Sequence, residues 1–517
     1  MSVSLVLALG RKGDLFYMAR KSMVGSDRMV FNGVLPYYYL IIIQHISKNS
    51  KKRYTMTLIK SISGIRGTIG GFPGEGLSPI DVVRFTSAFG MWIKEKSGKS
   101  RPKVVVGRDA RISGDMVKNL VIGSLQGLGI DVIHLGLATT PTTELAVIYH
   151  KADGGIILTA SHNPKQWNAL KLLNEKGEFL NAADGEKVLL MASQEAFDFA
   201  DVDNLGQVTD DPDFLQLHIE DVLALDLVDE EAIAKADFTV AVDCVNSVGG
   251  LVIPELLKAL GVKNILELYC EPNGQFPHNP EPLPEHLSDI ANLIKQEKAD
   301  VGFVVDPDVD RLAIINEDGT MFGEEYTLVA VADYVLSYTP GNTVSNLSST
   351  RALRDVTVKR GGKYTASAVG EVNVVEQMKN TKAVIGGEGN GGIIYPESHY
   401  GRDALVGIAL FLTHLAKKGK KCSELRREYP EYYMSKNKIE LTAGIDVDAI
   451  LEKVKELYES EQVTDVDGVK IDFVDCWVHL RKSNTEPIIR IYSEAATKQA
   501  ADDLAQKIID VIRAMVK

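Results

Sequence analysis

Residues 103–135 read KVVVGRDARISGDMVKNLVIGSLQGLGIDVIHL and indicate a fold class on their own. A β-branched run opens the segment at Lys103–Gly107, and a second closes it at Asp131–Leu135. Between them, Gly114–Leu128 has the length and apolar spacing of an amphipathic helix. A strand, a helix and a strand in this order are typical of a βαβ unit with a mostly parallel, covered sheet. The segment therefore predicts an α/β domain.

The same alternation recurs along the chain and changes near its end. Further strands are predicted at Gly155–Leu158, Phe238–Asp243, Ile265–Leu268, Val301–Val305, Thr343–Asn346 and Ala383–Ile385, with helices at Leu251–Leu260, Leu287–Gln296 and Thr327–Tyr338. Two strands joined by a short loop, Val474–Leu480 and Ile488–Ser493, then precede the helical segment Thr497–Lys517. We therefore expect three similar α/β domains and a smaller C-terminal α+β domain. The expected domain bounds are 56–205, 206–325, 326–430 and 431–517.

The composition limits the possible classes of function. The 517 residues carry a net charge of −13, which argues against a general nucleic-acid or anionic-membrane binder. No apolar run reaches the ~18 residues needed to span a bilayer. The four cysteines show neither CxxC nor zinc-site spacing, and we expect reduced thiols in a cytoplasmic protein. If the protein handles a phosphorylated substrate, the positive charge must be gathered locally in a cleft.

The first 55 residues differ from the rest of the chain. They hold nine basic and two acidic residues, so this segment carries +7 and the remainder −20. Patterned sequence begins abruptly at Met56. Three interpretations are open: a basic, acid-poor targeting presequence, a regulatory extension, or a start codon upstream of a true start at Met56. We expect residues 1–55 to lie outside the fold.

Four loops carry candidate chemistry, and the first is TASHNP at 159–164. Ser161 follows a predicted strand, where a hydroxyl serves either as a nucleophile or as a turn residue. The GxSxG pattern of α/β-hydrolases is absent. His162 is next in sequence, which does not by itself make it a base for Ser161.

The second loop is DPDVDR at 306–311, between the apolar runs VGFVV and LAII. Three carboxylates at alternate positions, Asp306, Asp308 and Asp310, can converge on one hard cation. A solvated acidic turn and an EF-hand are the alternatives, but Arg311 stands where an EF-hand needs glycine. The loop therefore predicts a metal site, and the small number of ligands suits Mg²⁺ completed by a phosphate oxygen.

The third and fourth loops are GGEGNGG at 386–392 and RKSNTEP at 481–487. Glu388 and Asn390 suit sugar hydroxyls, although a glycine-rich turn alone is a weak signal. In the fourth loop, hydroxyl and amide side chains between Arg481 and Arg490 can form a nest for a phosphate dianion. A hairpin turn with a solvated basic rim is the alternative.

Taken together, the loops favour phosphoryl transfer. A metal beside a serine provides a nucleophile and a means of stabilising charge on the transferred group. A separate phosphate nest implies a substrate whose second phosphate is held while chemistry occurs elsewhere. A metal-dependent phosphatase and a sugar-phosphate-binding protein are the competing hypotheses.

The four loops, in this order, resemble the α-D-phosphohexomutase family, which includes phosphoglucomutases, phosphomannomutases and phosphoglucosamine mutases. The resemblance runs from about Met56 to the C-terminus. It extends to SGIRG at 63–67 and to GRDARIS at 107–113. It implies four domains arranged around a central cleft.

The resemblance also implies roles for individual residues. Ser161 would be phosphorylated, and the phosphoserine would bind Mg²⁺ together with Asp306, Asp308 and Asp310. Phosphohexomutases pass through a sugar bisphosphate, which would act here as intermediate and activator.

Further residues match other parts of the family pattern. Arg66 and Arg311 would support the transferring phosphoryl group, and Lys171 would be a proton carrier. Glu388 and Asn390 would read sugar hydroxyls. The residues expected to anchor the non-reacting phosphate are Arg481, Ser483, Asn484, Thr485 and Arg490.

One departure from the family pattern concerns the sugar loop. Many bacterial members read GExSGH there, whereas this chain has Asn390 and Gly392 in place of the serine and the histidine. That histidine is a proposed acid/base residue in some relatives. Proton transfer here would therefore depend on Lys171 or another group, with His162 as an alternative.

We expect a phosphohexomutase that interconverts hexose 6-phosphates and hexose 1-phosphates. The expected preference is for glucosamine phosphate, with phosphoglucomutase/phosphomannomutase activity as the alternative. The expected partners are small hexose phosphates, with neither nucleic acid nor membrane, and the expected assembly is a monomer or a homodimer.

Overall fold

The computed structural model describes residues 56–61, 64–440, 446–482 and 488–516, and two short strands near the N-terminus. The chain divides into two compact units, Met1–Thr55 and Met56–Lys517. In the first unit, β1 (Val6–Leu9) and β2 (Leu15–Met18) pair as an antiparallel hairpin. The larger unit contains every candidate site residue.

The first domain of the larger unit is built on a seven-stranded sheet. Its strands are β3 (Ile59–Ser61), β4 (Gly64–Thr68), β5 (Lys103–Arg108), β6 (Asp131–Leu137), β7 (Gly154–Leu158), β8 (Trp167–Leu173) and β9 (Val208–Asp210). Its helices are α1 (Pro79–Ser97), α2 (Gly114–Gly127), α3 (Thr140–Tyr149) and α4 (Ala182–Gln194). Helices α1, α2 and α4 pack in one hydrophobic cluster and α3 in another, so both faces are covered. Strand β9 pairs in parallel with β6, so the sheet extends past residue 205.

Helix α1 shows how the local sequence sets the bounds of an element. Ser78 and Asp81 form a capping box at its start, and Pro79 occupies the first helical position. Gly98 ends the helix in the left-handed region, at a φ of 65°.

The second and third domains repeat a smaller sheet. The second contains α5 (Phe214–Leu223), α6 (Glu230–Ala236), β10 (Thr239–Asp243), α7 (Gly249–Ala259), β11 (Asn264–Leu268), α8 (Ser288–Glu297), β12 (Val301–Val305) and β13 (Leu312–Asn316). The third contains α9 (Glu324–Tyr338), β14 (Asn342–Asn346), α10 (Ala352–Lys359), β15 (Tyr364–Ser367), α11 (Glu371–Thr381), β16 (Ala383–Glu388), β17 (Gly392–Ile394), α12 (Ala404–Lys418) and α13 (Cys422–Arg426).

The three α/β domains share one strand order. It is β11-β10-β12-β13 in the second domain and β15-β14-β16-β17 in the third, and β6-β5-β7-β8 lies within the first sheet. In each set three strands are parallel and the fourth is antiparallel. The predicted similarity of the three domains is confirmed. The antiparallel fourth strand was not predicted, because periodicity does not reveal strand direction.

The C-terminal domain has five antiparallel strands, whereas the sequence predicted two. They are β18 (Tyr433–Glu440), β19 (Gln462–Thr464), β20 (Val469–Asp472), β21 (Trp477–Lys482) and β22 (Ile488–Ala495), accompanied by α14 (Val447–Leu457) and α15 (Lys498–Val516). Strand β18 lies at the edge of the sheet, and half of its residues are exposed. Its sequence is therefore polar, like that of a loop. The α+β class is confirmed.

The second and third domains share one hydrophobic core. Helix α12 is apolar along almost its whole length and is buried there. Its Phe411 ring meets Phe303 and Phe322 edge-on, with centroids 6.1 and 5.3 Å away. Burial on this scale contributes ~1.5–3 kcal/mol for each large apolar side chain. Among the described helices, none is long and apolar enough to cross a bilayer.

His414 on α12 generates a prediction about acid stability. Burial lowers the pKa of His414 from 6.5 to about 4. The unfolded chain therefore binds a proton below about pH 6.5 that the folded chain does not, so acidification destabilises the fold. His414→Gln removes this dependence, and we expect the variant to lose about 2 kcal/mol less stability than the natural protein between pH 7 and pH 5.

The measurement is urea unfolding of both proteins at the two pH values. His286→Gln, in the short Pro284–His286 turn, is the control. Identical pH dependence in His414→Gln and the natural protein would contradict the prediction.

Candidate active site

The three predicted chemical loops of the α/β domains occupy the same place in each. TASHNP joins β7 to β8, DPDVDR joins β12 to β13, and the glycine-rich loop joins β16 to β17. Each turns the last parallel strand into the antiparallel one. Each also contains a left-handed residue: Ser161 (φ 48°), Val309 (φ 63°) and Gly391 (φ 84°). For serine, and more so for β-branched valine, this conformation is uncommon and typical of functional loops.

Ser161 lies directly against the acidic loop. Its Oγ donates a hydrogen bond to Oδ2 of Asp306 at 2.7 Å. The residue is only 8% exposed, and its backbone N–H donates to Thr159 Oγ1 at 3.0 Å. The hydroxyl is therefore held at the carboxylates.

Arg111 holds the backbone of the serine loop in place. Its guanidinium is fully buried and pairs with Asp109 at 2.9 Å. It donates to the backbone carbonyls of Ser161, Asn163 (2.7 Å) and Trp167 (3.1 Å). The sequence placed Arg111 within a family motif but indicated no role for it. The structure shows that it clamps the loop that presents the serine.

Asp306, Asp308 and Asp310 form a buried cluster that fits a metal ion. Each offers an oxygen, and these oxygens lie within 4.8 Å of one another. All three residues are fully buried. Within the described part of the chain, Oδ1 of Asp308 and Oδ1 of Asp310 have no hydrogen-bond partner. Buried carboxylate oxygens without donors are suitable ligands for Mg²⁺.

Lys171 compensates the negative charge of this cluster. Its Nζ lies 2.6 Å from Oδ2 of Asp308 and 3.2 Å from Oδ2 of Asp310. Burial alone would lower the pKa of Lys171, but the two carboxylates outweigh burial and raise it. The lysine is therefore protonated in this arrangement. Thr140 adds a second donor to Asp308 at 2.6 Å.

Arg402 is a site residue that the sequence analysis missed. Its buried guanidinium pairs with Asp310 at 2.7 Å, Glu388 at 3.0 Å and Glu371 at 2.9 Å. It thus joins the acidic loop to the sugar loop. A signal was present, since the tetrapeptide GRDA occurs at 107–110 and again at 401–404.

Three arginines, Arg66, Arg311 and Arg490, lie close enough for their charges to interact. The pKa of Arg66 is lowered by burial and then by the charges of Arg311 and Arg490. Nε of Arg66 and Nε of Arg311 are buried and have no hydrogen-bond partner among the residues that the structure describes. Arg311 is only loosely paired, 3.7 Å from Glu281 and 3.9 Å from Asp310, so the cluster can still bind a phosphate dianion.

His162 is close to the serine but uncharged. Its Nδ1 lies 3.4 Å from Ser161 Oγ. Burial, followed by the charge of Arg311, lowers the pKa of His162 to about 2. The imidazole is therefore neutral near pH 7, and its role as acid or base stays a prediction.

The carboxylate of Glu388, in the glycine-rich loop, is contacted by two amide side chains. Oε1 of Glu388 accepts from Nδ2 of Asn346 at 2.9 Å, and Nδ2 of Asn390 lies 3.4 Å from Oε2. In the C-terminal domain, Arg481 and Arg490 are cross-strand partners. Ser63, Ser483, Asn484 and Thr485 lie outside the described residues.

Comparison with known proteins identifies the family. The domains described as phosphoglucomutase/phosphomannomutase alpha/beta/alpha domains I, II and III match residues 58–198, 216–319 and 323–433. The C-terminal domain of the same family matches residues 439–511. The chain belongs to the phosphoglucomutase/phosphomannomutase family. It is accordingly a phosphohexomutase, an isomerase of the intramolecular phosphotransferase class.

Relatives and solved structures agree with this assignment. A phosphoglucomutase/phosphomannomutase of Thermococcus kodakarensis is 37% identical over 87% of this chain and 99% of its own length. A phosphoglucosamine/phosphogalactosamine mutase of Sulfurisphaera tokodaii is 30% identical over 87% and 98%. A family protein of Burkholderia thailandensis shares the fold, with a TM-score of 0.75, 24% identity and coverage of 90% and 98%.

The acidic cluster generates a prediction about metal binding. Asp308→Asn removes a charged ligand oxygen and the main partner of Lys171, so we expect Mg²⁺ affinity to fall at least about tenfold. Titration calorimetry with Mg²⁺ measures this directly. Asp318→Asn, on the turn after β13, is the matched control, and we expect it to bind Mg²⁺ normally. Undiminished binding by Asp308→Asn would remove that residue from the metal site.

Proposed function

We propose that this phosphohexomutase interconverts hexose 6-phosphates and hexose 1-phosphates through a phosphoserine at Ser161 and a sugar bisphosphate. The observation that carries the proposal is the 2.7 Å hydrogen bond from Ser161 Oγ to Asp306 within the buried carboxylate cluster. A hydroxyl in this position can carry a phosphoryl group next to the ligands that would hold Mg²⁺. When bound, Mg²⁺ neutralises charge on the transferring phosphoryl oxygens.

The reaction requires two transfers and a reorientation of the sugar. A phosphate cannot pass from O6 to O1 of one hexose in a single step, because the two oxygens lie at opposite ends of the ring. Phosphoserine 161 therefore gives its phosphoryl group to the free hydroxyl, and a bisphosphate forms. The sugar turns, and its other phosphate returns to Ser161. Loss of the bisphosphate between the transfers would leave an unphosphorylated enzyme.

The residues around the serine have distinct tasks in this scheme. Arg66 and Arg311 attract the transferring group, since both are cationic and neither guanidinium Nε has a hydrogen-bond partner in the described structure. Lys171 is the candidate proton carrier for the sugar hydroxyl. Arg481 and Arg490, with Ser483, Asn484 and Thr485, would anchor the phosphate that does not react.

A bound bisphosphate has a precedent in a distant structure of the same fold. The N-acetylphosphoglucosamine mutase of Aspergillus fumigatus, 14% identical with a TM-score of 0.52, has been solved with glucose 1,6-bisphosphate. For this chain we propose that the corresponding hexose bisphosphate is both intermediate and activator.

The sugar preference depends on the charge around Glu388. An amino sugar carries an ammonium group at C2, which favours an uncompensated carboxylate. Glu388 is instead paired with Arg402 at 3.0 Å. Together with the 37% identical phosphoglucomutase/phosphomannomutase, this favours glucose and mannose phosphates. Glucosamine phosphate, the expectation from the sequence, is the second candidate, favoured by the 30% identical amino-sugar mutase.

The phosphoserine can be tested by intact mass. After incubation with a hexose bisphosphate, a fraction of the natural protein should be heavier by one phosphoryl group. Ser161→Ala should show no heavy fraction and lose activity on the order of a thousandfold. Ser193→Ala, on α4, is the control and should behave like the natural protein. A phosphorylated Ser161→Ala protein with normal turnover would refute the mechanism.

The sugar preference can be tested with a coupled assay. Glucose 1-phosphate, mannose 1-phosphate and glucosamine 6-phosphate are compared in the presence of Mg²⁺ and a trace of the matching bisphosphate. We expect comparable kcat/KM for the first two and a value at least about tenfold lower for glucosamine 6-phosphate, equivalent to 1.4 kcal/mol. A preference for the amino sugar reverses the assignment, and release of inorganic phosphate alone indicates a phosphatase.

A further inference from the structure

The loop 465–468 between β19 and β20 places a carboxylate between two domains. Both carboxylate oxygens of Asp467 face Arg481 Nε, Oδ1 at 3.0 Å and Oδ2 at 2.9 Å. Oδ2 of Asp467 accepts from the backbone N–H of Val369, in the third domain, at 2.9 Å. One side chain of the fourth domain thus contacts both the phosphate hairpin and the segment that precedes α11.

That segment leads directly to the sugar loop. Gly370, next to Val369, donates its N–H to Oε1 of Glu388 at 3.2 Å. Asp467 is therefore separated from Glu388 by one peptide unit and two hydrogen bonds. The same carboxylate that contacts the proposed phosphate anchor also supports the backbone that holds the sugar-reading side chain.

A buried histidine makes a second connection between the two domains. His479 Nε2 donates to the carbonyl oxygen of Asp467 at 2.7 Å, which leaves Nδ1 to accept from Ser348 Oγ at 2.9 Å. Ser348 donates its backbone N–H to Asn346 at 3.0 Å, and Asn346 donates to Glu388. Both connections end on the same carboxylate.

Asp467 contacts Arg481 in a way that leaves the arginine able to bind a ligand. Among the described residues, Arg481 uses only its Nε, and its terminal nitrogens form no hydrogen bond there. Phosphate and carboxylate ligands are bound by the paired N–H groups of a guanidinium fork. A side-on partner at Nε holds the fork in one orientation without occupying the terminal amino groups.

We propose that Asp467 is a positioning residue, which orients Arg481 for the non-reacting phosphate. It also links the β21–β22 hairpin to the segment of Val369 and Gly370, which supports Glu388. The proposal rests on the function proposed above, in which Arg481 binds that phosphate. Asp467 itself touches neither sugar nor phosphate.

The direction in which phosphate affinity changes when Asp467 loses its charge distinguishes positioning from simple repulsion. A carboxylate near a phosphate site repels the dianion, so its removal should tighten binding if only charge mattered. A carboxylate that merely competed with phosphate for Arg481 would act in the same direction. If Asp467 positions Arg481, its removal should weaken phosphate binding instead. An arginine that nothing holds must lose rotamer freedom when it binds phosphate.

The test measures KM and kcat of Asp467→Asn for a hexose 1-phosphate in the full chain with Mg²⁺. Asn keeps the oxygen that accepts from Val369, but it loses the negative charge and places an NH2 group, a donor, 3.0 Å from Arg481 Nε in place of Oδ1. The variant therefore weakens the hold on Arg481 and spares the contact with Val369. We expect KM to rise about tenfold with kcat within about twofold of the natural value. Inhibition by inorganic phosphate should weaken in parallel. An unchanged or lower KM would overturn the proposal.

A neighbouring aspartate provides the matched control. Asp465 lies on the same loop and pairs at the surface with Lys455 at 2.7 Å. Asp465→Asn should leave KM, kcat and the melting temperature unchanged. Equal melting temperatures for the two variants would show that any change in KM at Asp467 does not come from unfolding of the loop.

Arg481→Ala separates this proposal from the proposed function. If KM is raised in Arg481→Ala but normal in Asp467→Asn, the positioning role of Asp467 is rejected and the proposed phosphate site is retained. A normal KM in Arg481→Ala rejects the phosphate nest and, with it, the role of Asp467. The double variant should be no worse than Arg481→Ala, because both changes remove one interaction. Additive losses in the double variant would overturn the proposal.

Discussion

Three carboxylates buried within 4.8 Å of one another constrain the rest of this structure. Like charges at such distances repel strongly in a medium of low dielectric, and the pKa of Asp306 is raised by burial and by its two neighbours. Asp308 and Asp310 are compensated from outside their own domain, by Lys171 of the first domain and Arg402 of the third. The charge balance observed at the acidic loop therefore depends on three domains meeting around it.

The shared strand order explains why these loops meet. In each α/β domain the last parallel strand turns sharply into an antiparallel one, and that turn lies at the carboxyl edge of the sheet, where ligand sites of α/β domains form. The serine loop, the acidic loop and the glycine-rich loop are this same turn in successive domains. Each contains a left-handed residue because the reversal is tight. Repetition of one architecture thus supplies three different chemical groups from equivalent positions.

The local parts of the site could be predicted from sequence, and the contacts between them could not. TASHNP, DPDVDR and the strand Val301–Val305 were evident because a loop motif and a β-branched run are short-range features, and that strand has the predicted bounds. The contacts of Lys171 with Asp308, of Arg402 with Asp310 and of Asp467 with Val369 were not evident, because each joins two domains that are far apart along the chain. Strands such as β18 were missed since an edge strand is half exposed and reads as a polar loop.

The contact between the second and third domains is apolar, whereas the contact between the third and fourth domains is polar. This difference bears on which contact can open at the lower cost. The second and third domains share an apolar core around Phe411, and opening it would cost ~25 cal/mol for each Å² exposed. The fourth domain is joined to the third by polar contacts. Arg351 of the third domain donates to the carbonyls of Val474 and Cys476 and pairs with Asp472 at 3.2 Å, and Asp467 accepts from Val369. Water can replace such contacts, at a net cost of about 0.5–1.5 kcal/mol for a neutral hydrogen bond and more for those of Arg351. In the proposed mechanism a bisphosphate turns between two transfers and needs room, which opening of this polar joint would provide without exposing the core. The carboxylate cluster would then keep its geometry while Arg481 and Arg490 move with the fourth domain.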